Sequence, residues 1–133
     1  METKKRKLLF IDDDESICNL LKKAAERNGN YLVQTSLSGE EGLELAENLL
    51  PDLIVLDLML PGLSGSAVAA KLKEKPATSK IPIIFLTGLA ETSDDGSNVR
   101  QTGDNWIMAK PVNPFEVLET IERVLDAGAS SAT

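Results

Sequence analysis

Short apolar runs alternate with longer amphipathic stretches along this chain. Leu8 to Ile11 is an apolar run that ends in three acids, Asp12-Asp13-Asp14. After it, Ile17, Leu20, Leu21 and Ala24 recur at helical spacing until Gly29 stops the pattern. Tyr31 to Thr35 reads as a short strand. Ser38-Gly39-Glu40-Glu41 opens a second helix, which carries Leu43, Ala46, Leu49 and Leu50 and closes at Pro51. Leu53 to Leu56 is apolar at every position, the pattern of a strand buried on both faces, and it ends in Asp57. A third helix is predicted around Val68 and Leu72, ending near Pro76. Ile81 to Leu86 is another fully apolar strand and Trp106 to Ala109 a weaker one. Asn113-Pro114 starts a last helix bearing Phe115, Leu118, Ile121 and Leu125, with Pro114 suited to its first turn.

Strands that alternate with helices predict an α/β fold with a parallel sheet and helices on both of its faces. The 133 residues suit one domain. Its expected extent is 1–126, followed by a flexible tail of small and polar residues, 127–133. No internal repeat and no long linker divides the chain.

Composition narrows the chemistry. No apolar run approaches the roughly 20 residues that span a bilayer, and Leu8 to Ile11 is too short for a signal-peptide core. No membrane contact and a cytoplasmic location are therefore expected. The net charge of −7 includes the basic run Lys4 to Lys7, so the rest of the chain is more acidic still. That argues against direct nucleic-acid contact by the folded body, and the basic run reads as a solvated arm. Histidine is absent, which removes the usual general base and the commonest zinc ligand. The single cysteine, Cys18, lies at a helical apolar position and reads as a small buried residue.

The informative pattern is where the apolar strands stop. Four end in polar residues: Asp12-Asp13, Asp57, Thr87 and Lys110. Each gap between them leaves room for a crossover and the next strand, so all four ends emerge on one edge of the sheet. Ligand sites of open parallel sheets form beyond the carboxyl ends of the strands. If the first and third strands are neighbours, three carboxylates meet in one crevice. Clustered carboxylates repel and need positive charge. A divalent cation provides it, as does Lys110, and an all-oxygen ligand set suits Mg²⁺. An aspartate beside Mg²⁺ and a lysine is equipped as a nucleophile for phosphoryl transfer, which needs mainly positioning and charge neutralisation. Thr87 can donate a hydrogen bond to a phosphoryl oxygen. Asp57 thus reads as an aspartate that becomes phosphorylated. Plainer readings stand beside this one. Asp12 to Asp14 could cap the first helix, Asp14 above all. Lys110 could be an ordinary surface lysine, and Pro61-Gly62 and Gly65 could be turn formers that shape the loop over Asp57.

The stretches "LLFIDDDESI", "LIVLDLMLPGLSG", "IIFLTGLAE" and "IMAKPVNP" resemble the receiver domain of two-component response regulators. The likeness runs from about Lys7 to Leu125. It implies a doubly wound flavodoxin-like (βα)5 sandwich whose five parallel strands lie in the order 2-1-3-4-5. It implies Asp57 as phosphoacceptor, Asp13 as a direct Mg²⁺ ligand, Asp12 as a ligand acting chiefly through water, and the Met59 backbone carbonyl as a further ligand. Lys110 and Thr87 would hold phosphoryl oxygens, helped by the backbone N–H groups of Met59 and Gly88. The Lys110-Pro111 peptide would be cis. The implied partners are a sensor histidine kinase or a histidine phosphotransfer protein as donor, and an output effector that the sequence does not name. Without histidine, the chain cannot be its own histidine donor. Met59 and Leu89 would cover the phosphoryl group, and since neither positions a water, slow self-dephosphorylation is expected.

Three other readings are weaker. A haloacid-dehalogenase-type phosphohydrolase needs a second Asp two residues after the nucleophile, where this chain has Met59. A flavodoxin-like flavin carrier needs a Ser/Thr-rich phosphate loop where Asp12 to Asp14 would repel phosphate. A scaffold that never takes phosphate leaves the complete acidic set without a purpose. On the output side the chain departs from its family. Receivers typically carry an aromatic three residues before the lysine. Here that position is Ile107, with Trp106 one residue earlier and therefore on the opposite strand face. The fourth helix of the family should fall in "ETSDDGSNVRQTG", which has one large apolar residue, Val99, and many poor helix formers. It is expected to be short or frayed, from near Ser97 to Gly103.

Overall fold

The computed structural model of the chain describes residues 5–27, 29–88, 99–102, 105–111 and 113–131. In chain order its elements are β1 (Arg6–Ile11), α1 (Glu15–Glu26), β2 (Tyr31–Ser36), α2 (Gly39–Leu49), β3 (Leu53–Asp57), α3 (Gly65–Glu74), β4 (Ile83–Thr87), β5 (Val99–Thr102), β6 (Asn105–Ala109) and α4 (Pro114–Ser131). The sheet order is β2-β1-β3-β4-β6-β5. The five strands β2-β1-β3-β4-β6 pair in parallel, in the order expected, and β5 joins the edge antiparallel to β6.

The alternation of side chains along each strand builds two cores, one on each sheet face. Leu8, Phe10, Val33, Val55, Ile84, Leu86 and Met108 face α1 and α4, where Leu21, Ala25, Val117, Ile121 and Val124 meet them. Leu9, Ile11, Ile54, Leu56, Ile83 and Phe85 face α2 and α3, where they meet Ala46, Val68 and Leu72. Successive residues of β1 and β3 thus serve opposite cores, which is why those strands read as unbroken apolar runs.

Helix starts follow local chemistry. Asp14 caps α1, accepting hydrogen bonds from Ser16 N–H at 2.9 Å and Ile17 N–H at 3.4 Å. Ser38 caps α2 through Glu41 N–H, and Ser64 caps α3 through Ala67 N–H. Asn113 Oδ1 accepts from Phe115 N–H at 2.9 Å, and Pro114 occupies the first turn of α4. No helix among the described residues is long and apolar enough to cross a membrane.

Several expectations need correction. No helix spans 99–102, because those residues form β5. Val99 opens the strand and Thr102 pairs with Asn105, which leaves only Gly103-Asp104 between the two strands. A Gly-Asp dipeptide is compatible with a short connection between paired strands, but pairing with β6 decides the outcome here. Residues 89–98 and 103–104, Leu89 included, lie outside the described residues. The last helix runs through Ser131. Phe115 is 78% exposed instead of buried. Leu20 is also exposed, and Cys18, Leu21 and Ala25 form the buried stripe of α1.

Candidate functional site

Strand register assembles the site. Ile11 pairs with Leu56 across β1 and β3, so the next residues, Asp12 and Asp57, leave the sheet side by side. Asp57 in turn pairs with Leu86, and Thr87 with Ala109, which places Thr87 and Lys110 at the same edge. Asp12 and Asp57 are each only 2% exposed. Asp13 is exposed, and the three carboxylates each bring an oxygen within 4.8 Å of the others. Asp14, by contrast, is committed to capping α1.

Lys110 bridges the two buried acids. Its ammonium lies 3.0 Å from Asp12 Oδ2 and 3.1 Å from Asp57 Oδ2. Backbone donors hold the other oxygens: Asp14 N–H reaches Asp12 Oδ1 at 2.9 Å, and Met59 N–H reaches Asp57 Oδ1 at 3.0 Å. Burial pushes the Asp12 carboxyl above its ordinary range, and the Asp57 charge adds to this; Asp14 N–H and Lys110 oppose it. Burial alone would lower Lys110, but its contacts with Asp12 and Asp57 hold it above the ordinary lysine range. It is a full cation at neutral pH. The Lys110-Pro111 peptide is cis.

The donor set fits a hard divalent cation. Asp12 is buried, and its Oδ2 is held by the Lys110 ammonium at 3.0 Å with the Asp13 and Asp57 carboxylates beside it. A buried carboxylate in that state is stabilised by a cation, and the cluster offers only oxygen ligands, as Mg²⁺ prefers.

The supporting shell is less legible in the sequence. Gly65 reads as a turn former, yet its role is steric: a Cβ there would lie 2.1 Å from the Asp57 carbonyl oxygen. Gly62 is a true turn glycine, with φ +74°. Cys18 is buried as expected, and its thiol donates to the Asp12 carbonyl at 3.4 Å. Burial and the neighbouring Asp12 charge push that thiol up to about 11. Thr87 is buried at the end of β4, and Lys110 N–H donates to its carbonyl at 2.9 Å. Gly88 is exposed, and an added Cβ would meet nothing within 4 Å. The Met59 side chain is 64% exposed. Trp106 and Ile107 lie on opposite faces, Trp106 against the α1–α4 core and Ile107 against the α2–α3 core. Because β5 covers the outer side of β6, Trp106 is not on an edge strand.

Fold and site together define a protein of the doubly wound α/β class in which strand ends gather acids and a lysine around one aspartate. Comparison with known proteins agrees. Residues 8–122 match the family model of the response regulator receiver domain. The chain is 41% identical over 120 residues to the alkaline phosphatase synthesis transcriptional regulatory protein PhoP of Bacillus subtilis (strain 168), covering 90% of this chain and 48% of that protein. It is 35% identical over 118 residues to the phosphate regulon transcriptional regulatory protein PhoB of Rhizobium meliloti (strain 1021), covering 89% and 50%. A solved response regulator receiver domain protein (CheY-like) from Methanospirillum hungatei JF-1 matches with a TM-score of 0.80 at 28% identity, over 96% of this chain and 99% of that one. The chain belongs to the response regulator receiver domain family. It spans about half the length of the curated relatives it matches.

Proposed function

We propose that Asp57 accepts a phosphoryl group from a phosphohistidine on a partner protein, a sensor histidine kinase or a histidine phosphotransfer protein, and that phosphorylation controls an output partner. A carboxylate oxygen of Asp57 attacks phosphorus, the P–N bond to the imidazole breaks, and the imidazole nitrogen keeps the electron pair. Asp12, Asp13, Asp57 and the Met59 carbonyl are the proposed Mg²⁺ ligands. The bound ion would neutralise charge on the transferring oxygens and among the carboxylates. Lys110 would turn from the two acids towards a phosphoryl oxygen, and Thr87 with the Met59 and Gly88 N–H groups would donate to the others. Hydrolysis of the aspartyl phosphate is proposed to be slow, because Met59 offers no group to orient a water. The phosphorelay reading carries a cytoplasmic placement with it. It assigns residues 1–126 to the receiver, while the expectation of no nucleic-acid contact rests on acidic charge alone.

One observation carries the reading: a nearly fully buried aspartate at a strand end with an ammonium at 3.1 Å and two further acids beside it. No comparison points to a dehalogenase-type hydrolase. Incubation with Mg²⁺ and a small acyl phosphate, followed by intact mass measurement and peptide mapping, tests it. One phosphoryl group on Asp57, and none on Asp57→Asn, is expected. Phosphate on a serine, or undiminished labelling of the Asn variant, overturns the assignment.

A further inference from the structure

The loop between β3 and α3, residues 58–64, runs from the phosphoacceptor and returns to it. Backbone bonds hold its feet: Leu58 N–H donates to the Leu86 carbonyl at 3.0 Å and Gly65 N–H to the Leu58 carbonyl at 3.3 Å. Its far side is held by a different element. Gly39, the first residue of α2, lies so close to Leu63 that a Cβ would sit 2.3 Å from the Leu63 carbonyl oxygen. Glu40, the second, accepts the Leu63 N–H on Oε1 at 3.0 Å. Gly62 leaves room for that carboxylate, since a Cβ there would lie 3.1 Å from Oε1. The first turn of α2 thus engages Leu63 through both its N–H and its carbonyl.

Glu40 is not needed where it stands to cap α2, because Ser38 already takes Glu41 N–H. It is solvent-exposed, and ordering an exposed glutamate costs side-chain entropy for little global stability. The arrangement makes sense as local positioning. Met59 lies in the held loop, with its N–H on Asp57 Oδ1 and its carbonyl proposed as a metal ligand.

We propose that Glu40 is a positioning residue for the phosphoacceptor site, tethering the β3–α3 loop so that the Met59 backbone is preset for the cation and the phosphoryl group. This rests on the phosphoacceptor reading above and deepens it. The acceptor oxygen matters here, not the charge, so Glu40→Gln should keep the tether and Glu40→Ala should lose it.

Mg²⁺ affinity by titration calorimetry, melting temperature, and the initial rate of labelling by a small acyl phosphate at low and saturating Mg²⁺ test the proposal. Glu40→Ala should raise the Mg²⁺ Kd about tenfold, the lower end for groups that orient a ligand, while Glu40→Gln stays within about twofold of wild type. The labelling defect of the Ala variant should shrink at saturating Mg²⁺, and both melting temperatures should stay near that of wild type. An Ala variant with wild-type Mg²⁺ affinity overturns the tether, as does a Gln variant as weak as the Ala one. If wild type itself takes no phosphoryl group at Asp57, the reading of the whole site fails. If wild type is labelled and Glu40→Ala matches it at low Mg²⁺, the tether alone fails.

Discussion

Asp12 and Asp57 share one ammonium: Lys110 Nζ stands 3.0 Å from Oδ2 of the first and 3.1 Å from Oδ2 of the second. In this state the lysine supplies the positive charge between two buried acids that would otherwise repel. A divalent cation and a phosphoryl group compete for the same partners, so the occupancy of the site and the stability of the fold are linked.

Removing Lys110 should therefore make the fold depend on the cation. Lys110→Ala leaves both carboxylates buried without their counter-charge and should cost about 3 kcal/mol in metal-free buffer, the low end for a broken buried pair because the lysine is partly exposed. Millimolar Mg²⁺ should recover most of that loss, so the Mg²⁺-induced rise in melting temperature exceeds that of wild type. Thermal melts with chelator and with Mg²⁺ measure both. Equal Mg²⁺ shifts in the two proteins would show that Lys110 does not stand in for the cation.

Asp12 should give the metal-free protein a distinct pH dependence. Its carboxyl is raised by burial, so the folded chain holds that proton more tightly than the unfolded chain. Its contribution to stability is fully present below the ordinary carboxylate range and is lost as pH rises through the raised value. Asp12→Asn removes this dependence and relieves repulsion with Asp57. In chelator, the stability of wild type relative to Asp12→Asn should fall as pH rises from the ordinary carboxylate range towards neutrality. Urea unfolding of both proteins across that range is the measurement, and parallel curves would contradict the prediction.

Gly65 should tolerate no side chain. A Cβ placed 2.1 Å from the Asp57 carbonyl oxygen must displace either β3 or α3, and both are backbone. Gly65→Ala should cost at least ~3 kcal/mol, above ordinary overpacking, even though alanine is the better helix former. Denaturant unfolding would read this directly. A stable Ala variant that still takes phosphate would mean the loop can move aside at little cost.

The acidic crevice was readable because it depends on few physical facts. Parallel strands buried on both faces must be apolar throughout, so the first polar residue after each run marks its end, and parallel pairing puts those ends on one edge. Asp12, Asp57, Thr87 and Lys110 follow from that, as do the five parallel strands. Asp14 as a cap and Cys18 as a buried residue were also readable, because capping and helical periodicity are local.

What stayed hidden depends on contacts between segments distant in sequence. Phe115 shares helical spacing with Leu118 and Ile121, yet the stripe of α4 that docks on the sheet is Val117, Ile121, Val124 and Leu125, and Phe115 falls outside it. The stretch around Val99 lacks helix formers, and its fate was decided by pairing with β6, which a strand of four residues cannot reveal by its own pattern. Gly65 was read as a turn former because nothing near it in the chain shows that Asp57 lies against it. Glu40 reaches Leu63 across 23 positions, and no local signal marks it. Periodicity reports which side of an element is buried, whereas the identity of the neighbour is set by how separate elements dock, and that is a property of the whole fold.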